Sequence, residues 1–246
     1  MGNKVQTICL WSGVAFLVTY LAFFLGVAGY IPPSPPSWDP ATVAAFYNDH
    51  RYSIRVGQVG ALIASTLLFP FWALISAQIG RIEVRQGRLP LLALMQICGA
   101  ILLQVFFVVC SMMWIIATYR PELDPGTLRM LHDGGWLVFV MVFPAYVMQM
   151  FCLAAVSFID DSDDPWMPRW AGYMNLWVGV AGTGGGIAVF FYNGAFAWNG
   201  LIGFYIPAGV FAIWMLIMTH LMRAHRKRQE AAGQPAAAAA ERALVG

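Results

Sequence analysis

The apolar residues of this chain gather into six runs, each long enough to cross the hydrocarbon core of a bilayer, and that grouping decides most of what the chain can fold into. The runs lie near 7–30, 56–79, 89–119, 134–159, 171–192 and 200–222, where roughly 20 residues of helix suffice to span. Inside lipid every backbone N–H and C=O must find its partner within the protein, and runs of this length select the helix over a barrel strand. Only 11% of the residues are charged and 60% are hydrophobic, against about a quarter charged in soluble domains. The expected fold is therefore all-α: a polytopic transmembrane helix bundle of about six spans over 1–228. A disordered cytoplasmic tail is expected over 229–246, where a row of alanines forms a low-complexity end. The first run, from Thr7 to Tyr30, exceeds the 7 to about 15 residues of a secretory h-region and reads as a retained helix.

Basic residues divide unevenly between the alternate sides of such a bundle. Lys4, Arg81, Arg85, Arg88, Arg169, Arg223, Arg226, Lys227, Arg228 and Arg242 fall on one side, and Arg51, Arg55, Arg120 and Arg129 on the other. The positive-inside rule places the first set, and with it both termini, in the cytoplasm. The net charge of +2 marks no nucleic-acid partner; the bilayer is the expected surrounding. Clustered Arg223 to Arg228 suit anionic lipid head groups.

Prolines punctuate the spans. Pro90 suits the first turn of its helix, whereas Pro70, Pro144 and Pro207 fall within runs and are expected to kink them, opening space between helices. The longest outer link begins Ile31-Pro-Pro-Ser-Pro-Pro, which favours polyproline II. Asp39 before Pro40 has the form of an N-cap, and Val43, Phe46, Tyr47 and His50 recur at helical spacing, predicting a short helix on the outer surface. The glycines from Gly179 to Gly186 admit close packing or a locally unwound helix lining a cavity.

Ionisable side chains are missing from the middles of the runs, which argues against a proton-relay chain or voltage sensor. Midspan polarity falls to amides, among them Gln58, Gln96, Gln104, Gln149 and Asn175. The four cysteines lie in apolar runs without metal-ligand spacing and read as small hydrophobes. No nucleotide, hydrolase or zinc motif is present and the histidines do not stack as haem ligands, so no cofactor is expected.

Two rim sets carry the remaining chemistry. On the outer rim, Arg55, His132 and Asp133 are either an ion-paired clasp between helices or the mouth of a site for a polar head group on an otherwise apolar ligand. On the cytoplasmic rim, Asp160, Asp161 and Asp164 fit a DDxxD pattern, whose carboxylates suit Mg²⁺ on a diphosphate; no second acidic motif accompanies it, and a solvated loop that stops one helix and starts the next is the preferred reading.

Ala41-Thr-Val-Ala-Ala-Phe-Tyr, Tyr52-Ser-Ile-Arg-Val-Gly and His132-Asp-Gly-Gly-Trp together resemble corresponding regions of uncharacterised bacterial multi-pass membrane proteins. The resemblance implies a bacterial inner-membrane location and carries no activity. The functions expected are binding or transport of a small apolar or amphipathic molecule, or service as an accessory subunit with a membrane-protein partner or a second copy. The alternative is a membrane-embedded enzyme acting on a lipid or isoprenoid.

Overall fold

The computed structural model describes the backbone of residues 2–245 and the side chains of residues 4–232, so most of the tail expected over 229–246 lies outside the described side chains. Among the described residues eight α-helices follow one another: α1 (Gly2–Leu21), α2 (Pro40–Ser65), α3 (Leu68–Arg85), α4 (Leu91–Tyr119), α5 (Pro125–Val140), α6 (Phe143–Ile159), α7 (Arg169–Gly182) and α8 (Ile206–Val245). Among the described residues there is no strand.

These helices make a membrane bundle of about six spans. Five stretches are long and apolar enough to cross: Lys4–Val27, Pro40–Arg85, Leu91–Tyr119, Pro125–Ile159 and Leu201–Ala232. The remaining crossing is α7 continued by a 3₁₀ segment, Thr183–Phe190. Val18, Ile63 and Ile213 are each at least 60% exposed well inside their spans, a surface that only lipid tolerates over such an extent. The start of α1 and the basic stretch of α8 share one rim, because Arg226 Nη1 donates to the Thr7 hydroxyl at 2.6 Å.

The prolines act as expected, and the breaks fall where the physics puts them. A proline lacks the N–H that would bond the carbonyl four residues back, and its ring crowds that turn. Pro70 acts on Thr66, where α2 gives way to α3; Pro144 acts on Val140, where α5 ends; and Pro207 acts on Gly203, inside a π-helical turn over Leu201–Tyr205. A second π-helical turn, Ala22–Val27, extends α1.

Two expected boundaries move. Asp39 does cap a helix, accepting from the Thr42 N–H at 2.7 Å, yet this helix is no separate surface element: it runs unbroken into the second span as α2. Val43 and Tyr47 are wholly buried while His50 is exposed. The reason is continuity of helix-forming residues through Tyr52 and Ile54, with no glycine or proline to stop the turn. The fourth span likewise starts earlier, at Pro125, because Asp124 accepts from the Thr127 N–H at 3.0 Å and supplies the cap.

Amides fasten the spans to one another. Gln104 donates from α4 to Ser65 of α2 at 2.6 Å. Gln96 of α4 accepts from Ser76 of α3 and lies 3.4 Å from Gln149 of α6. Trp214 of α8 donates to Asn175 of α7 at 2.8 Å. Such bonds in a bilayer contribute about 1 kcal/mol each.

Candidate functional site

Four interruptions of regular α-helix surround one cavity of about 410 Å³. Phe24 and Leu25 come from the π-helical turn after α1, Val140 and Val142 from the break between α5 and α6, Gly182 from the end of α7, and Phe204 and Tyr205 from the π-helical turn before α8. π-Helical turns and interrupted helices commonly mark functional positions, since irregular backbone at membrane depth is tolerated only where protein or a lined cavity satisfies it. Glycine makes the shape possible: a Cβ on Gly182 would enter the Tyr146 ring, and one on Gly185 would strike the Val140 carbonyl.

The wall is aromatic and almost wholly apolar. Phe24 stacks on Phe139 with ring centroids 5.4 Å apart, and Phe107 meets Tyr20 edge-on at 5.3 Å. Leu21, Leu25 and Tyr205 line the cavity while remaining exposed, so it opens sideways between α1 and α8 toward lipid. At the basic rim these helices close, through Arg226 to Thr7 and through the Arg223 guanidinium 5.6 Å from the Trp11 ring. Tyr20 and Tyr146 present their rings to the chamber wall, and their hydroxyls are buried out of its reach, without a hydrogen-bond partner among the described residues. An orphaned buried hydroxyl costs about 1–3 kcal/mol.

The outer end is roofed by the proline-rich link. Ile31 reaches into the cavity, and three residues on, Ser34 is fastened twice. Its hydroxyl lies 2.6 Å from His132 Nε2, and its carbonyl accepts from Trp198 Nε1 at 2.8 Å. His132 Nδ1 lies 3.1 Å from the Tyr47 hydroxyl, which is 3.3 Å from that of Tyr30. Trp38 stacks on the imidazole at 6.1 Å. A neutral imidazole has one donor and one acceptor nitrogen, and two hydroxyls satisfy either tautomer.

The three outer-rim residues singled out from the sequence are not brought together. His132 is buried beneath the roof; Arg55 donates to the carbonyl and hydroxyl of Thr118 at the end of α4; Asp133 pairs with Arg129 one turn away at 3.5 Å. The Arg55–Asp133 clasp is thus replaced by one contact from α2 to the end of α4 and one within a helical turn, because a guanidinium is better used on the unsatisfied carbonyls at a helix C-terminus.

On the basic rim the acidic loop is spread among cations. Asp160 meets Arg85 at 2.6 Å, Asp161 accepts from Gln86 at 3.0 Å, and Asp164 meets Arg228 at 2.7 Å and His225 at 3.5 Å. The Gln86 bond holds the Asp161 carboxyl below its usual range. Among the described residues no three His, Cys, Asp or Glu side chains converge on a metal-sized point.

Sequence reasoning passed over Tyr20, Tyr146 and Glu83. The signal for the tyrosines was depth: both stand well inside apolar runs rather than at the belt where Tyr usually sits, and a hydroxyl there wants a partner. Glu83 is buried near the end of α3 and accepts from the N–H groups of Leu92 and Ala93 at 2.8 and 3.0 Å, capping α4.

Fold and cavity together define a multi-pass helical membrane protein with a lipid-facing aromatic chamber. Comparison with family models, curated proteins and solved structures finds no match.

Proposed function

We propose that this protein binds a small apolar or amphipathic molecule in the chamber between α1 and α8, taking it from the surrounding lipid, in a bacterial inner membrane whose cytoplasmic face meets the basic rim. The observation that carries this reading is an apolar aromatic cavity of about 410 Å³ with Leu21, Leu25 and Tyr205 exposed at its edge. Its size lies within the roughly 300–1,000 Å³ of ligand pockets, and few polar groups on an apolar wall is their usual character. The lining holds no carboxylate, imidazole, amine or thiol. It therefore offers shape and aromatic surface rather than an acid–base pair, which favours binding over conversion.

The test uses Gly209→Trp. Gly209 lies at the cavity mouth, and a Cβ there meets nothing within 4 Å, so a bulky side chain closes the opening without displacing a neighbour. Parent and variant are extracted into native-lipid discs, and their small molecules are identified by mass spectrometry. A molecule retained by the parent and lost from the variant supports the reading; the same molecules in both, at equal amount, overturn it.

A further inference from the structure

Resting on that reading, we infer that the occupant of the chamber is the hydrocarbon tail of a lipid resident in the leaflet opposite the basic rim, the outer leaflet when that rim is cytoplasmic. The depth of the mouth carries this. The bond from Arg226 to Thr7 sets α8 and α1 at one level of the basic rim. At about 1.5 Å of rise per residue, Leu21 stands about 21 Å beyond Thr7 along α1, and Gly209 about 26 Å beyond Arg226 along α8. The hydrocarbon core is about 30 Å thick, so its midplane lies about 15 Å from that rim. Two helices therefore place the mouth independently in the far leaflet, and a tilt of about 20° shortens either path by less than a tenth.

The near leaflet has no entrance between these helices. Their basic side is shut twice, by Arg226 on Thr7 and, one turn deeper, by the Arg223 guanidinium 5.6 Å from the Trp11 ring, and Leu10 and Met222 are buried there. Water is kept from the other end by the roof, where Ser34 is fastened to His132 and Trp198 beyond Ile31.

The lining decides which part of the lipid enters. Its side chains present aliphatic groups and aromatic rings, with the Tyr20 and Tyr146 hydroxyls out of reach. A polar head taken inside would lose its hydration and gain no partner, so the head stays in water and the tail alone turns in. Neither flank of the mouth selects a head by charge, because no Asp, Glu, Lys or Arg occurs in 5–38 or in 170–222.

The experiment reconstitutes the full chain into liposomes and loads their external leaflet with a phosphatidylcholine carrying a diazirine midway along one tail. Lys4 and Lys227 are the chain's two lysines, and both are exposed on the basic rim. An impermeant amine-reactive biotin therefore marks the chains whose basic rim faces outward, and streptavidin separates them from the rest. After illumination the labelled residues of each fraction are mapped by mass spectrometry. The readout is Phe107 and Phe139, which line the chamber from α4 and α5 and pack on Tyr20 and Phe24. Both are expected to be labelled in the unmarked chains and to lose that label in Gly209→Trp. They are expected to stay unlabelled in the marked chains, where exposed Ile8 still reacts. Equal labelling of the two phenylalanines in both fractions, or label retained in Gly209→Trp, overturns the leaflet and its mouth while leaving binding intact. A headless adamantane diazirine reaches both leaflets, and chamber labelling by it alone overturns the lipid tail but not binding. Labelling of the chamber by neither probe defeats the binding reading and this inference together.

Discussion

Ser34 and His132 stand 98 positions apart in the chain, and their side chains meet at 2.6 Å. That bond ties the proline-rich outer link to α5, and the same serine's carbonyl is tied to Trp198 ahead of α8. Ile31, which enters the chamber, is thereby fixed from both sides.

The first prediction concerns that latch. His132→Ala leaves the hydroxyls of Ser34 and Tyr47 each without its imidazole partner in a buried site, and an unsatisfied buried group costs about 1–3 kcal/mol. The variant is expected to lose about 2 kcal/mol in reversible unfolding followed by tryptophan fluorescence. A cysteine placed at Ile31 is expected to react faster with an impermeant thiol reagent in the variant than in the parent. Unchanged stability and unchanged reactivity together would show that the roof is held by packing alone.

Two glycines provide an internal contrast. A Cβ on Gly185 would collide with the Val140 carbonyl, which is backbone and has no rotamer to yield, whereas one on Gly26 meets nothing within 4 Å. Gly185→Ala is expected to cost about 3 kcal/mol or more by overpacking. Gly26→Ala should stay within about 0.5 kcal/mol of the parent. Thermal unfolding of the two variants side by side checks this; similar losses would remove the claim that the 3₁₀ segment needs glycine to approach α5.

How much of this was legible beforehand depends on the range of the interaction. Proline breaks, the cap at Asp39 and the all-helical span pattern are consequences of residues within four positions, so the sequence displays them directly; the Asp124 cap is equally local and was passed over, which set the start of the fourth span too late. The chamber is different. It arises where Phe24, Val140, Gly182 and Phe204, distant in the chain, share a wall, and no local pattern encodes that meeting. Arg55 and Asp133 show the converse error: a pair of opposite charges on one rim invites pairing, yet each found a nearer partner in Thr118 and Arg129. Glu83 was passed over, because the turn through Gly87 that folds α4's first N–H groups onto it is a feature of three dimensions.

Glu83 gives the third prediction. Its two carboxylate oxygens accept separate backbone N–H groups of Leu92 and Ala93, donors that the start of α4 cannot satisfy internally. Glu83→Ala strands both and is expected to cost about 2 kcal/mol, within the range of lost caps. Glu83→Gln keeps one acceptor and should cost roughly half as much. Unfolding titrations in detergent rank the three proteins; a glutamine variant no better than alanine would mean that charge, rather than acceptance, holds the α3–α4 corner.

The last prediction is the response to acid at the outer rim. The Thr42 N–H holds the Asp39 carboxyl below its ordinary value of 3.8, and the Thr127 hydroxyl, helped by its N–H, does the same for Asp124. For a carboxyl whose folded value is depressed, the stabilisation is fully present above the unfolded value and disappears as pH falls through the folded one. Both caps therefore contribute at neutral pH and weaken below pH 3.8. Asparagine caps a helix about as well as aspartate and does not titrate. In Asp39→Asn with Asp124→Asn the other carboxylates, including Asp160 and Asp161, keep titrating as before, so their effect cancels in a comparison. The parent's unfolding temperature is expected to drop more steeply than that of the double variant below about pH 4, the two curves running parallel above it. Parallel curves across the whole range would show that the caps hold equally well protonated, and that α2 and α5 begin where they do because of Pro40 and Pro125 alone.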